Sequence, residues 1–230
     1  MTPTLTVSDE VRALAPGFTH VAVEAHGLVN GPSTEATSAL LDDAGRRLAR
    51  RLDGRSPHED PHMAAWREVY TAFGSKPSRT RNSAEALARR ALADSGLPRI
   101  NVLVDLYNAV SVARLIPVGG EDTDRIRGAM RLVRATGGED FVTVAGGAEV
   151  VEHPDAGEVV WCDDEGVTCR RWNWRQGPRT RLTEESVSAL FLLESLAPMP
   201  VADVESAGAE LAELLEKFSP GARITVHAPE

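Results

Sequence analysis

Five arginines and two tryptophans lie close together within residues 168–181. Most of them belong to the run Arg170-Arg-Trp-Asn-Trp-Arg-Gln176, and the segment holds no acidic residue. A guanidinium group binds phosphate oxygens through paired hydrogen bonds, and an indole ring stacks on a nucleic acid base. This composition favours recognition of single-stranded nucleic acid ends. Because no acid lies in the same segment, the arginines must pair with distant carboxylates or bind an anion.

The run also fits the alternating pattern of a β-strand over 167–172. Such a strand would place Trp172 and Trp174 together on a buried face. Its opposite face would then carry three polar side chains: Arg171, Asn173 and Arg175. The two interpretations are compatible, because a buried tryptophan face leaves the polar side chains on one surface.

A second group of polar residues lies within a predicted helix over 101–113. Asn101, Asp105 and Asn108 are spaced at i, i+4 and i+7, which places them on one helix face. Such a face is either solvated or lines a binding site. Two amides and a carboxylate without a long charged neighbour are less typical of a solvated face, so both interpretations stay open.

The usual cofactor and metal motifs do not support a site. The chain has no GxGxxG, Walker or GxSxG sequence, and its glycine pairs fit turns. His58 and His62 are four residues apart, but Pro57 and Pro61 break the helix that a zinc pair would need. We therefore expect no metal and no organic cofactor.

Charge is strongly segregated along the chain, which has 230 residues and a formal net charge of −9. Residues 66–99 hold seven basic and three acidic residues, whereas 139–165 hold nine acidic residues and no lysine or arginine. Basic segments at 66–99 and 168–181 in an acidic chain suit a confined anion site. The overall acidity excludes a histone-like wrapper of duplex DNA.

We expect a cytoplasmic protein that does not enter a membrane. No stretch approaches the roughly 18 unbroken apolar residues of a membrane span, and residues 1–10 lack the pattern of an export signal. The only two cysteines, Cys162 and Cys169, do not form a CxxC motif, which favours free thiols in a reducing compartment.

Hydrophobic periodicity predicts an α+β fold, with a mixed sheet and helices packed on it. The predicted helices cover 34–52, 62–73, 83–96, 101–113 and 201–218. The predicted strands cover 18–25, 130–133, 141–144, 158–162, 167–172, 188–193 and 223–227. We divide the chain into an N-terminal layer at 1–60 and a main domain at 61–230, although the pattern favours a single domain over two.

Several blocks, in the right order, resemble the B3/B4 domain of the beta subunit of bacterial phenylalanyl-tRNA synthetase. They are LPRIN at 97–101, VDLYNAV at 104–110, PVGGED at 117–122, GGE at 137–139 and TEE at 183–185. The arginine- and tryptophan-rich run is similar to that of freestanding B3/B4 proteins. The likeness covers roughly residues 66–215 and implies a B3/B4-like fold. No block matches the synthetase core, so we do not expect ligase activity.

The resemblance implies that the chain binds tRNA and acts in trans as an aminoacyl-tRNA hydrolase. Asn108 matches the asparagine of the family's editing site. Tyr107, Gly119 and Leu192 stand where the family has a threonine, a histidine and a glutamate. Glu194, two residues beyond Leu192 on the same predicted strand face, is the nearest carboxylate to that last position.

From these arguments we assign candidate roles. The amino-acid pocket is expected to be lined by Asn101, Tyr107, Gly119, Arg171, Asn173, Arg175 and Glu194. Candidates for orienting the attacking water are Asn108, Asp105, Glu139 and Glu158. Candidates for binding RNA phosphates are Lys76, Arg79, Arg81, Arg170, Arg179 and Arg181. Two alternatives remain: a non-catalytic module that binds an amino acid or an RNA end, and a small-molecule hydrolase or transferase without RNA contact.

Overall fold

Six α-helices and eleven β-strands are interspersed along residues 4–229, the part of the chain that the computed structural model describes. The helices are α1 (Asp9–Leu14), α2 (Glu35–Leu52), α3 (Pro61–Ala72), α4 (Ser83–Ala91), α5 (Val102–Arg114) and α6 (Val201–Phe218). A 3-10 helix at Pro57–Glu59 precedes α3. Within the described residues, no helix combines the length and apolar character that crossing a membrane requires.

The strands are β1 (Leu5–Val7), β2 (Thr19–His26), β3 (Val118–Asp122), β4 (Met130–Arg134), β5 (Phe141–Ala145), β6 (Ala148–Glu152), β7 (Val159–Cys162), β8 (Val167–Arg170), β9 (Arg175–Gln176), β10 (Ser188–Ser195) and β11 (Arg223–Val226). They form a five-stranded sheet in the order β1-β4-β7-β8-β9, a four-stranded sheet in the order β11-β2-β10-β3, and the hairpin β5-β6. The pair β1-β4 is parallel and β4-β7 is antiparallel, so the larger sheet is mixed. The fold is α+β, although its strands are divided among three sheets where we predicted one.

Strands from the first 60 residues take part in both larger sheets. β1 is hydrogen-bonded to β4, and β2 lies between β10 and β11. Helix α2 packs along α5. The proposed boundary at residue 60 stays a prediction.

Helix α5 is the buried centre of the molecule. The Asn101 side chain caps its N-terminus by accepting a hydrogen bond from the backbone N–H of Val104 at 3.0 Å. Eleven of its thirteen residues are buried. Its Ala109 and Val112 belong to one hydrophobic cluster, while Leu103 and Leu106 belong to another. The helix therefore joins both cores, and its polar face is buried rather than solvated.

Most predicted helices, and the strand at β10, are confirmed with small shifts at their ends. The prediction missed β1, β3, β6, β9 and α1. We assigned Gly119 and Gly120 to a turn, but they lie within β3. A Cβ at Gly120 would come within 3.1 Å of the Tyr107 and Phe191 rings, so glycine here allows close packing.

The strand predicted to continue to Trp172 is wrong. β8 ends at Arg170, and the chain then makes a tight turn in which Arg171 has φ +48° and Trp172 has φ +67°. The alternation that we expected for 171–175 therefore does not occur, because left-handed residues interrupt the extended backbone.

Candidate functional site

A cavity of about 280 Å³ opens between β3, β10, α4, α5 and the turn that follows β8. Its walls combine aromatic rings, amide groups and two carboxyl groups. The aromatic residues are Tyr107, Trp161, Trp172 and Trp174, the amide residues are Asn108, Asn173 and Gln176, and the carboxyl groups belong to Glu121 and Glu194. Gly119, Cys169, Arg175 and Leu192 also line it.

The strand pair β3-β10 supplies one wall of the cavity. Gly119 and Leu192 are opposite each other in the register of this pair. Glu121 and Glu194 each follow one of these residues by two positions, so all four point to the same side of the sheet. The alternation of strands thus brings both carboxyl groups to the cavity.

Glu194 is the centre of a hydrogen-bond network. Its Oε1 accepts from the indole N–H groups of Trp161 at 2.9 Å and Trp172 at 3.0 Å, and its Oε2 accepts from the Asn173 amide at 2.9 Å. Tyr70 donates its hydroxyl hydrogen to Asn173 Oδ1 at 2.8 Å. Burial raises the pKa of Glu194 to about 7, although its three donors counteract part of this rise.

The turn at 171–174 brings Trp172 into this network. The backbone N–H of Arg171 donates to Glu158 Oε1 at 3.0 Å, and that of Trp172 donates to the Val159 carbonyl at 2.6 Å. These bonds hold two consecutive non-glycine residues in the left-handed region, which is a strained conformation. As a result the Trp172 ring is fully buried and its N–H reaches Glu194.

Trp174 lies between two guanidinium groups at the cavity wall. The Cζ atoms of Arg171 and Arg175 are 4.9 Å and 5.8 Å from the centre of its ring. Arg175 lines the cavity, while Arg171 lies outside it and pairs with Asp155 and Glu158. The indole is half-buried and packs against the edge of the main hydrophobic core, with the cation–π contacts on its ring.

The arginines of 168–181 find their acids in 139–165. Arg170 is 7% exposed and binds Glu158 at 2.8 Å and Glu152 at 2.9 Å. Arg175 binds Glu152 at 3.3 Å and also donates to Thr143. The acidic and basic segments of the sequence therefore neutralise each other in space. We call the side chains of Glu152, Glu158, Arg170, Arg171 and Arg175 the paired cluster.

The polar face of α5 is divided among three roles. Asn108 lines the cavity, but Asn101 and Asp105 do not. Asp105 is fully buried and accepts hydrogen bonds from Thr37 Oγ1 at 2.8 Å and from the backbone N–H of Ile100 at 3.1 Å. Asn101 caps the helix, so these two residues position α5.

The two other candidates for orienting water lie outside the cavity. Glu139 accepts hydrogen bonds from the backbone N–H groups of Thr136 and Gly137, in the loop before β5. Glu158 belongs to the paired cluster. Burial by itself would raise its pKa, but hydrogen bonds and charge, chiefly those of Arg170, outweigh burial, and its pKa is lowered.

The candidate phosphate-binding residues differ in their availability. Lys76, Arg79 and Arg181 are exposed. Arg81 pairs with Glu85 at 3.4 Å, Arg170 is held in the paired cluster, and Arg179 binds Asp163 at 2.7 Å. The first three are therefore better placed to meet a phosphate backbone.

Neither cysteine has the environment of a nucleophile. Burial raises the pKa of Cys162, and it raises that of the cavity residue Cys169 well above the ordinary value. The ring of His62 is buried too, with Nδ1 donating to the Leu115 carbonyl at 3.1 Å and Nε2 accepting from Trp66 at 3.0 Å. Among residues 4–229, no three His, Cys, Asp or Glu side chains are grouped so as to hold a metal ion.

Sequence analysis missed Glu121, Trp161, Cys169 and the α4 residues of the cavity. The signal for Glu121 was its spacing of two from Gly119, which would have placed both on one face of a strand. That signal depends on recognising β3, and the glycine pair concealed the strand.

Comparisons with known proteins found a family and a solved structure that are similar to this chain. A family model for the B3/4 domain matches residues 65–218. Among solved structures, an N-terminal fragment of the phenylalanyl-tRNA synthetase beta subunit from Pyrococcus horikoshii is similar at a TM-score of 0.47 and 13% identity. The alignment covers 97% of this chain and 50% of that one, so the chain spans about half the length of the fragment. No curated protein matches. The family match extends over most of the chain, and the protein belongs to the B3/4 domain family.

Proposed function

We propose that the cavity binds the aminoacyl end of an aminoacyl-tRNA and that the protein hydrolyses the ester in trans. The observation that carries the proposal is the convergence of Asn108, Gly119, Asn173, Arg175 and Glu194 on one cavity. These residues come from α5, β3, the turn after β8, β9 and β10, so their convergence is a property of the fold. The relation to a tRNA synthetase subunit suggests the substrate class.

The size of the cavity fits one amino acid. Its volume of about 280 Å³ lies near the lower end of small-molecule sites, which span roughly 300–1,000 Å³. The aromatic walls suit the apolar part of an amino acid, and the amide groups suit its polar atoms. A nucleotide chain would have to remain outside, where the exposed Lys76, Arg79 and Arg181 can neutralise phosphates.

The chemistry of the cavity supports hydrolysis by water without a protein nucleophile. Water would add to the ester carbonyl carbon, the bond to the ribose oxygen would break, and that oxygen would take up the proton. Because its pKa is close to 7, Glu194 can accept and return a proton at neutral pH. Asn108, which lines the cavity, would orient the water or the ester. The thiol of Cys169 stays protonated and takes no part.

A panel of tRNAs charged with each amino acid tests this proposal. We expect loss of the ester for at least one amino acid, and we expect Asn108→Ala and Arg175→Ala to slow it by at least about tenfold, as lost positioning does. Arg46→Ala serves as the control, since Arg46 only forms an exposed pair with Asp43. Stable esters over the whole panel would overturn the hydrolase proposal.

A non-catalytic binding module is the second candidate. It is favoured by Tyr107, Gly119 and Leu192, which occupy the positions where the resemblance would place a threonine, a histidine and a glutamate. In this case the charged tRNAs bind without turnover, and binding weakens steeply with salt as phosphate contacts are lost. Absence of tRNA binding at low salt would exclude the hydrolase and an RNA-end module, and would leave a module for a free amino acid or a small-molecule enzyme.

A further inference from the structure

We propose that the cavity takes a ligand through an ammonium group and that Glu121 is the residue that receives it. This inference rests on the proposed function, because it names the chemical group by which the amino-acid part would be recognised. It also adds a residue that the sequence patterns did not indicate.

The first argument is the geometry of Glu121. The residue is 5% exposed, lines the cavity, and stands in β3 two positions after Gly119. Its Oε2 atom is buried and has no hydrogen-bond partner within the described residues. The neutral Thr180 hydroxyl, whose Oγ1 is also buried, and the Gln176 amide act on this carboxyl, so what its charged form lacks is a cationic partner, which a ligand ammonium can supply.

The second argument is the shortage of cations around Glu121. Arg179 is the cation whose charge lowers the pKa of Glu121, but its guanidinium donates to both oxygens of Asp163 at 2.7 and 2.9 Å. Arg175 donates to Glu152 and Thr143. Gln176 donates its amide to the Gly120 carbonyl at 2.8 Å. Among the residues described, both guanidinium groups are committed to other carboxylates, and the groups that hydrogen-bond the Glu121 carboxyl, Thr180 and Gln176, are neutral.

The third argument is the composition of the walls. Tyr107, Trp161, Trp172 and Trp174 present aromatic surfaces, which attract cations. Glu194 adds a second carboxyl group to the same space. A site that combines carboxyl groups with aromatic rings matches an ammonium better than a carboxylate or a phosphate.

Protonation should couple to this binding. Burial raises the pKa of Glu121 to about 8, and Thr180, Gln176 and Arg179 oppose the rise while Asp163 adds to it. The other titratable groups that face it are Tyr107 and Cys169, whose pKa values are also raised, and Glu194. Glu121 is therefore mostly protonated at neutral pH in the empty cavity, and an ammonium would displace its proton.

The ammonium has two possible sources in an amino acid: the α-amino group and a basic side chain. Three amides separate them. L-lysinamide carries both amines, L-norleucinamide carries only the α-amine, and hexanamide carries neither. Calorimetric titration of the whole protein with each amide, in buffers of different ionisation enthalpy, measures affinity and proton release together.

We expect at least one amine to increase the affinity by about tenfold or more, with proton release near pH 7. Glu121→Gln should abolish both the preference and the proton release, while Glu213→Gln, an exposed change on α6, should preserve them. If the glutamine variant does not fold, Glu121→Asp, which draws the carboxyl group back, should reduce the preference. Equal affinities for the three amides, or binding of none, would overturn the inference.

The outcome is separable from that of the proposed function. An amine preference without any binding of charged tRNA would retain the ammonium site and reject the tRNA substrate. Ester hydrolysis on charged tRNA without an amine preference would reject the role of Glu121 and retain the hydrolase.

Discussion

Glu158 and Glu194 are equally inaccessible to solvent, at 2% exposure each, but they lie in opposite electrostatic settings. Glu158 belongs to the paired cluster, where arginine hydrogen bonds outweigh desolvation and its pKa is lowered. Glu194 receives three neutral donors and no guanidinium, and its pKa rises to about 7. Glu158 keeps its charge because it has a guanidinium partner and lies less deep in the protein than Glu194.

The comparison also separates structural carboxylates from those available for chemistry. Those of the paired cluster are neutralised by arginines that the chain supplies. The cavity carboxyls, Glu121 and Glu194, keep pKa values near 8 and 7, so they can exchange protons at neutral pH. The arginine-rich run therefore packs behind the cavity wall. Of the three arginines in the paired cluster, Arg175 is the one that lines the cavity.

The largest effect should follow from breaking the paired cluster. Arg170→Met removes the guanidinium between Glu158 and Glu152 and leaves a buried carboxylate without its main partner. We expect a loss of about 3–5 kcal/mol in the free energy of unfolding, measured with urea at pH 7. Arg46→Met, in an exposed pair, should cost less than about 1 kcal/mol. Similar losses in the two variants would contradict the structural role of the cluster.

The cavity carboxyls should destabilise the fold as pH rises. The folded pKa of Glu194 is about 7 against an ordinary 4.5, so the folded state retains a proton that the unfolded state has lost. Its contribution therefore falls between about pH 4.5 and 7, by on the order of 3 kcal/mol, and Glu121 extends the decline to about pH 8. Glu194→Gln should gain stability relative to the wild type over this range. Urea unfolding at pH 5 and pH 8 checks the difference, and exposed Glu205→Gln should show none.

Glu158→Gln should have the opposite pH signature. Its lowered pKa stabilises the folded state above the ordinary value of 4.5, and this contribution is lost as pH falls through the folded value. At pH 7 the variant loses the charge that Arg170 binds, at a cost of about 2 kcal/mol. The gap between wild type and variant should narrow in acid-titrated unfolding curves. A constant gap from pH 7 to pH 3 would show that Glu158 does not titrate with folding.

The smallest effect concerns the support of the cavity. Tyr70→Phe removes the hydroxyl that donates to Asn173 Oδ1, and Asn173 in turn donates to Glu194. We expect a loss of about 1 kcal/mol in unfolding free energy, since the buried amide oxygen loses its donor. Tyr70→Phe should also be made in the Glu194→Gln variant. The loss of unfolding free energy that it causes should differ from its loss in the wild type if the three side chains form one network. Strict additivity of the two changes would disprove the coupling.

Local patterns in the sequence predicted most helices and several strands. The helix at 62–73 and the strand at 18–25 were predicted from residues a few positions apart, and both elements are present. The run at 171–175 departed from its pattern because bonds from the distant Glu158 and Val159 hold the turn. β3 was missed for a similar reason, because the glycine at 120 is explained by the close approach of the Tyr107 and Phe191 rings from other elements.

The candidate site divides along the same line. Asn108, Asn173, Arg175 and Glu194 could be named from residue type and family resemblance, and the structure places all four at the cavity. The sequence could not show that Arg170, Arg171 and Arg179 lie outside the cavity. The carboxylates that pair with them belong to a segment that comes near only when the chain is folded. Glu121 could not be found without the register of β3.

The sequence by itself determined the α+β class, the positions of the main helices and the B3/4 relationship, because periodicity, caps and motif order are encoded within short stretches. The tertiary structure alone decided which charged residues are neutralised and which carboxyl groups face a cavity. Those properties depend on distance and burial between segments far apart in the chain, and electrostatic free energy is set by that separation and surrounding medium rather than by residue type.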